Sequence, residues 1–134
     1  MPFINVKLVK GQATAEQKQQ VIAGVTDLVV KVMGRDRDLT VVVLDELEAS
    51  QWAIGGRTLA QLPEKPVVSF VNIKISKGTS NPAEMAAVLR AGKERMSEIF
   101  GNSAATNYFI IDELNPDAWG LDGITMTERN RQAR

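Results

Sequence analysis

FINVKLVKG at residues 3–11 returns as FVNIKISKG at residues 70–78, and the recurrence decides how the rest of the chain is read. A second pair, VVVLDELEASQWAIGG at 41–56 and YFIIDELNPDAWGLDG at 108–123, keeps the same spacing. The displacement is 67 residues both times (70 − 3 and 108 − 41), which is half of the 134-residue chain. Self-similarity at a fixed period marks a repeated supersecondary unit. Two equal copies therefore fill the sequence.

Each copy opens with a short strand. Phe3, Val6 and Leu8, like Phe70, Ile73 and Ile75, mix apolar residues with Asn and Lys in partial alternation, the pattern of a sheet with one buried face. A helix follows. Asn81 is placed to cap it, Pro82 to take its first position and Glu84 to close a capping box; Thr14 and Gln17 are the first-copy equivalents. Val21, Ile22, Val25, Leu28, Val29 and Val32 form one broad apolar face before Gly34, as do Val88, Leu89, Met96, Ile99 and Phe100 before Gly101. A second strand is expected at about 40–44 and 107–111, where β-branched and aromatic residues crowd together. Parallel pairing of two strands needs a crossover, and the helix supplies it, giving a right-handed β-α-β unit.

The units are expected at 1–62 and 69–134, joined by a linker at 63–68 and forming one compact domain. Pro63 and Pro66 favour an extended connection from about residue 59 onward. Short hairpins are expected around 54–58 and 121–125, and the polar tail at 127–134 is expected to fray. A unit of about 60 residues cannot cover its own sheet face, so the two copies must pair, either sheet to sheet or edge to edge.

Composition narrows the chemistry. With no His and no Cys, the chain has no disulfide, no imidazole base and no zinc site built on those ligands. Sixteen Lys plus Arg balance sixteen Asp plus Glu, so no basic field attracts nucleic acid. No apolar run approaches the length of a membrane span, and a cytoplasmic protein is expected. The carboxylates at Asp45–Glu46 and Asp112–Glu113 lack a compact ligand set, and solubility at strand ends explains them better than a metal. Pro2 leads directly into the first strand, and a small residue in that place normally permits removal of Met1. The product would be a secondary amine held rigidly at a sheet edge, and partial burial would lower its pKa toward that of a general base.

The opening PFINVKLVKG, the helix, the VVVLDEL strand and the WAIGG segment together resemble the tautomerase superfamily, in particular the group similar to 4-oxalocrotonate tautomerase, and the resemblance covers nearly the whole chain as a fused, two-unit version. It implies an α/β fold of the tautomerase/MIF type, with tandem β-α-β units forming a four-stranded sheet backed by two helices. It also implies cofactor-independent keto-enol proton transfer on a small α-keto or unsaturated acid, with Pro2 as the base, and a homotrimer imitating a hexamer of single units. Ser69 holds the matching place in the second unit and has no free amine, so one catalytic site per chain is expected.

The resemblance further implies that Trp119, lent by the second unit, walls the Pro2 pocket, with Trp52 at the matching first-unit position. The family's carboxylate-binding arginines are replaced, at Gln12 and Thr79 after the first strand and at Val41 and Tyr108 in the second. Tyr108 is the candidate hydroxyl donor in their stead, and Arg37 and Arg57 are candidate anion contacts. Two alternatives stay open: a catalytically weak oligomeric structural or ligand-binding protein, and a hydratase or dehalogenase of the same superfamily. The second needs an acid where Leu121 stands, unless Asp122 occupies that place.

Overall fold

The computed structural model describes residues 1–101 and 104–132. Strand β1 (Phe3–Val9) leads into α1 (Ala15–Asp27), and β2 (Val41–Leu47) follows; the second copy repeats this as β5 (Ser69–Ser76), α2 (Pro82–Phe100) and β6 (Tyr108–Leu114). After β2 and after β6 come the two-residue strand pairs β3 (Ala53–Ile54) with β4 (Arg57–Thr58), and β7 (Gly120–Leu121) with β8 (Ile124–Thr125). A last helix, α3 (Met126–Gln132), ends the described chain. The result is the expected α/β fold, with a four-stranded sheet in the order β2-β1-β5-β6.

Pairing is parallel within each unit and antiparallel between units. Asn5 stands opposite Asn72, its own equivalent in the other copy, so a pseudo-twofold axis passes between β1 and β5. Edge-to-edge joining is thus what the fold uses. It satisfies the backbone donors and acceptors of β1 and β5, which sheet-to-sheet stacking would leave at two more open edges.

One face of the sheet is dry. Ile4, Val6, Val71, Ile73 and Ile75 are fully buried beneath Val21, Val25 and Val29 of the first helical segment and Val88 of α2. Each side chain of this kind contributes about 1.5–3 kcal/mol relative to exposure. The capping boxes form as the sequence implies, with Thr14 Oγ1 accepting from the Gln17 backbone N–H at 3.1 Å and Asn81 Oδ1 from that of Glu84 at 2.8 Å. The opposite face carries two copies of one polar cluster, in which Asp45 accepts from Asn5 and Lys7, and Asp112 from Asn72 and Lys74. These partners hold both carboxyl groups below the usual carboxylate range.

Three local expectations change. The first helix widens into a π-helical turn at Leu28–Val32 and ends where Gly34 takes φ +67°, a conformation natural for glycine, which releases the next residue sharply from the helix. The connection after β4 begins with a 3-10 turn at Leu59–Gln61 rather than running extended from residue 59, because Thr58 and Gln61 cap it reciprocally. The supposed frayed tail is α3 as far as Gln132, started by Thr125 Oγ1 accepting from the Glu128 backbone N–H at 3.1 Å; residues 133–134 lie outside the described residues. Among the described residues no helix is long and apolar enough to cross a membrane.

Candidate functional site

Pro2 precedes β1 directly and is buried. It lines a cavity of about 240 Å³ whose other walls include Met1, Phe3, Leu39, Val41, Trp119 and Leu121. Trp119 arrives from the second unit on the loop between β6 and β7, and its indole Nε1 donates to Ser76 Oγ at 2.9 Å. Ser76 is itself buried on β5, so the ring is fixed by a hydrogen bond as well as by packing. Lys74 is the cation lining this chamber among the described residues, and its ammonium is spoken for, donating to Asp112 at 2.9 Å and to Asn72 Oδ1 at 2.7 Å.

The Pro2 mechanism has to be corrected. Met1 is present, so the Pro2 nitrogen lies inside the Met1–Pro2 peptide bond. An amide nitrogen gives its lone pair to the carbonyl and takes up no proton near neutral pH. Pro2 is therefore not the general base of this chain, and the chain does not carry an amino-terminal proline. The amine at this site belongs to Met1. Burial, and then the nearby Arg35 charge, hold it below the ordinary α-amine value of 8.0, with Asp36 pulling the other way.

Met1 and Leu39 also wall a second cavity, of about 520 Å³, completed by Gly34, Arg35, Asp36, Arg129 and Gln132. The Nε atoms of Arg35 and Arg129 are both shut away from solvent without a hydrogen-bond partner. Leaving such a donor unmade costs about 1–3 kcal/mol each. Arg35 is nonetheless held in place, because its Nη2 donates to the Thr79 carbonyl and to Thr79 Oγ1, both at 3.0 Å. An apolar chamber and a cationic chamber thus adjoin, with the Met1 residue common to both.

Of the other residues singled out from sequence, Tyr108 stands 66% exposed and lines two cavities, both with Ser69 and one of them also with Trp52 of the first unit. It is not among the walls of the Pro2 chamber. Arg37 points to Asp27, with a 2.7 Å ion pair, and Arg57 is exposed at the start of β4. Neither lines the chambers at Met1. Leu121 lines the Pro2 chamber, while Asp122 occupies the exposed hairpin turn at φ +54°. Gln12 ties the linker down, its amide donating to the Pro66 carbonyl at 2.8 Å and its Oε1 accepting from the Val68 N–H at 3.0 Å.

Arg35 and Arg129 were not picked out from sequence. The signals were the glycine immediately before Arg35 and the Thr125-x-x-Glu128 capping pattern ahead of Arg129, which marks a helix where the composition reads as tail.

Comparison with known proteins adds four findings. A family model described as Tautomerase enzyme matches residues 2–61. The probable tautomerase K2 of Dickeya dadantii (strain 3937) is 48% identical over 61 residues, spanning 46% of this chain and 91% of that protein. The 2-hydroxymuconate tautomerase of Bacillus subtilis (strain 168) is 31% identical over 62 residues, 46% of this chain and 98% of that protein. Among solved structures, one described as "Q0 fused 4-OT wild type symmetric trimer" superposes with a TM-score of 0.82 over 96% of this chain and 99% of its own, at 18% identity, a likeness of fold.

Proposed function

The chain belongs to the tautomerase superfamily of enzymes, and from that premise we propose that it interconverts the enol and keto forms of a small organic acid in the adjoining chambers at the amino end of β1. The observation that carries this reading is an amine with a lowered pKa set between an apolar and a cationic compartment. Proton transfer between heteroatom and carbon needs a base that is neutral near working pH and can hand the proton back. The Met1 amine, whose pKa burial lowers, is the group that takes this role in the proposed reading. As the enol hydroxyl proton passes to the nitrogen, the C–O bond becomes a carbonyl and the former C=C electron pair takes a proton at carbon from the ammonium formed; no atom or electron is gained or lost. The apolar walls around Trp119 exclude water and keep the amine poorly solvated, which favours its neutral form.

The test is an enol panel of phenylpyruvate-type and 2-hydroxymuconate-type acids, the second suggested by the name of the Bacillus subtilis relative. Selective acylation of the terminal amine, followed by intact mass, is expected to abolish turnover in step with modification of Met1. Full modification without loss of activity, or activity confined to chains that lack Met1, would overturn the assignment.

We propose a homotrimer and a cytoplasmic location as part of the same reading. The sheet face away from the helices exposes Phe3, Val41, Val43 and Tyr108, which an assembled face would cover, and the fused relative is itself described as a trimer. Light scattering should give three times 14.7 kDa, and a monomer would contradict it.

A further inference from the structure

We infer that Arg35 and Arg129 form a carboxylate subsite, and that the acid taken up here is a monocarboxylate with an apolar body rather than a dicarboxylate. The two arginines come from different units, Arg35 from the release of the first helix and Arg129 from α3, and meet on one cavity. Both side chains line this cavity, and in neither does the Nε–H have a hydrogen-bond partner, so neither guanidinium has all its donors met within the chain. A planar carboxylate supplies two acceptor oxygens and matches the guanidinium fork, which an isolated oxygen or a chloride does not. Thr79 anchors the far end of Arg35, so that side chain is already in place before an anion arrives. Asp36, the acid in the wall, is engaged locally, its Oδ1 accepting from the Asp38 backbone N–H at 3.0 Å.

The adjoining chamber fixes the other end of the ligand. Phe3, Leu39, Val41, Trp119 and Leu121 offer apolar surface, and its lining lysine, Lys74, is already engaged by Asp112 and Asn72. A second carboxylate would lie there without a free cation, at a desolvation cost that an aryl or alkyl group does not incur. The inference rests on the proposed function only for the fate of the acid once bound.

Binding of inert probes by calorimetry tests it without turnover. Phenylacetate is expected to bind the full chain, and Arg129→Gln and Arg35→Gln each to weaken it at least tenfold, while Arg90→Gln on the exposed side of α2 leaves it unchanged. The neutral isostere phenylacetamide should bind equally to all four proteins, and adipate more weakly than phenylacetate. Unaltered phenylacetate affinity in Arg129→Gln, no binding by the parent chain, or tighter binding of adipate would each overturn the subsite. Should Arg35→Gln fail to fold for want of its Thr79 anchor, Arg129→Gln on the terminal helix decides alone. A chain that binds phenylacetate through Arg129 yet isomerises no enol keeps the subsite and loses the functional reading; one that isomerises enols while Arg129→Gln binds phenylacetate as before does the reverse.

Discussion

Two chambers sit at equivalent places in the doubled fold, and they differ where chemistry would need them to. Around the first are Pro2, Phe3, Leu39, Val41, Trp119 and Leu121; 67 positions away in each case, Ser69, Phe70, Thr106, Tyr108, Trp52 and Ile54 surround the second. The first adjoins a cavity holding an amine and two arginines. At the second, Ser69 is internal and its N–H donates to Asn107 Oδ1 at 3.1 Å, so no amine is free. The duplicated element that ends each hairpin makes the rest of the difference. Leu59 and Met126 are matched and buried alike, but Pro63 follows the first after one 3-10 turn, whereas the second runs on as α3. Leu62 therefore packs into a small apolar cluster at the very position where the other copy presents Arg129. Proline forces the residue before it out of the helical region, and Leu62 is indeed extended at ψ 136°.

The sharpest way to break this comparison is to treat the two tryptophans alike. Trp119→Ala removes a chamber wall and the bond to Ser76, and is expected to lower kcat/KM about 100-fold, or about 2.7 kcal/mol of transition-state stabilisation. Trp52→Ala, whose ring packs against Val9 and Leu59, should leave kcat/KM within about twofold and instead lower thermal stability by a few kcal/mol, as large-to-small core changes do. Equal activity losses in the two would erase the distinction between the chambers.

A smaller effect concerns pH. On the proposed reading the neutral Met1 amine is the active form, so kcat/KM should rise with pH along a limb whose midpoint lies below the value of 8.0 typical of an unperturbed α-amine. Arg35 lowers that pKa, and Arg35→Gln should therefore move the rising limb to higher pH, separately from its effect on affinity. A limb that stays in place would show that the titrating group is not this amine.

The smallest effect is expected where the copies agree. Asp45→Asn and Asp112→Asn each remove a half-buried carboxylate whose folded pKa is depressed by Asn and Lys partners. A depressed folded pKa contributes stability above the unfolded value and loses it as pH falls through the folded one. Both variants should thus show a slight, similar loss of melting temperature near neutral pH that disappears in acid; a large or unequal loss would mean that the polar clusters do different work.

Much of this was legible in the residues. The 67-residue displacement places every strand and long helix twice, and both capping boxes and both hairpin turns form where Thr14, Asn81, Gly55 and Asp122 indicate. The proposed site was less legible, for physical reasons. Tyr108 shares the second-strand position of Val41, yet the β1–β5 pairing carries the two to opposite halves of the sheet, so a residue matched in sequence is displaced in space. Arg37 is nearer than Arg35 to the second strand in sequence, but an ion pair with Asp27 turns it outward. Arg129 was masked by the polar composition of α3, a helix whose Met126 alone is buried.

What the sequence determined by itself is everything set by local periodicity and repetition: two β-α-β units, their caps and turns, and the chemistry excluded by a chain without His or Cys. The tertiary structure decided which edges meet, and through that which cavity the two arginines share with Met1. Local hydrogen bonding and side-chain period act over a few residues and are written in order along the chain. A cavity is assembled from residues as distant as Met1 and Gln132, and their proximity follows only from the packing of the whole.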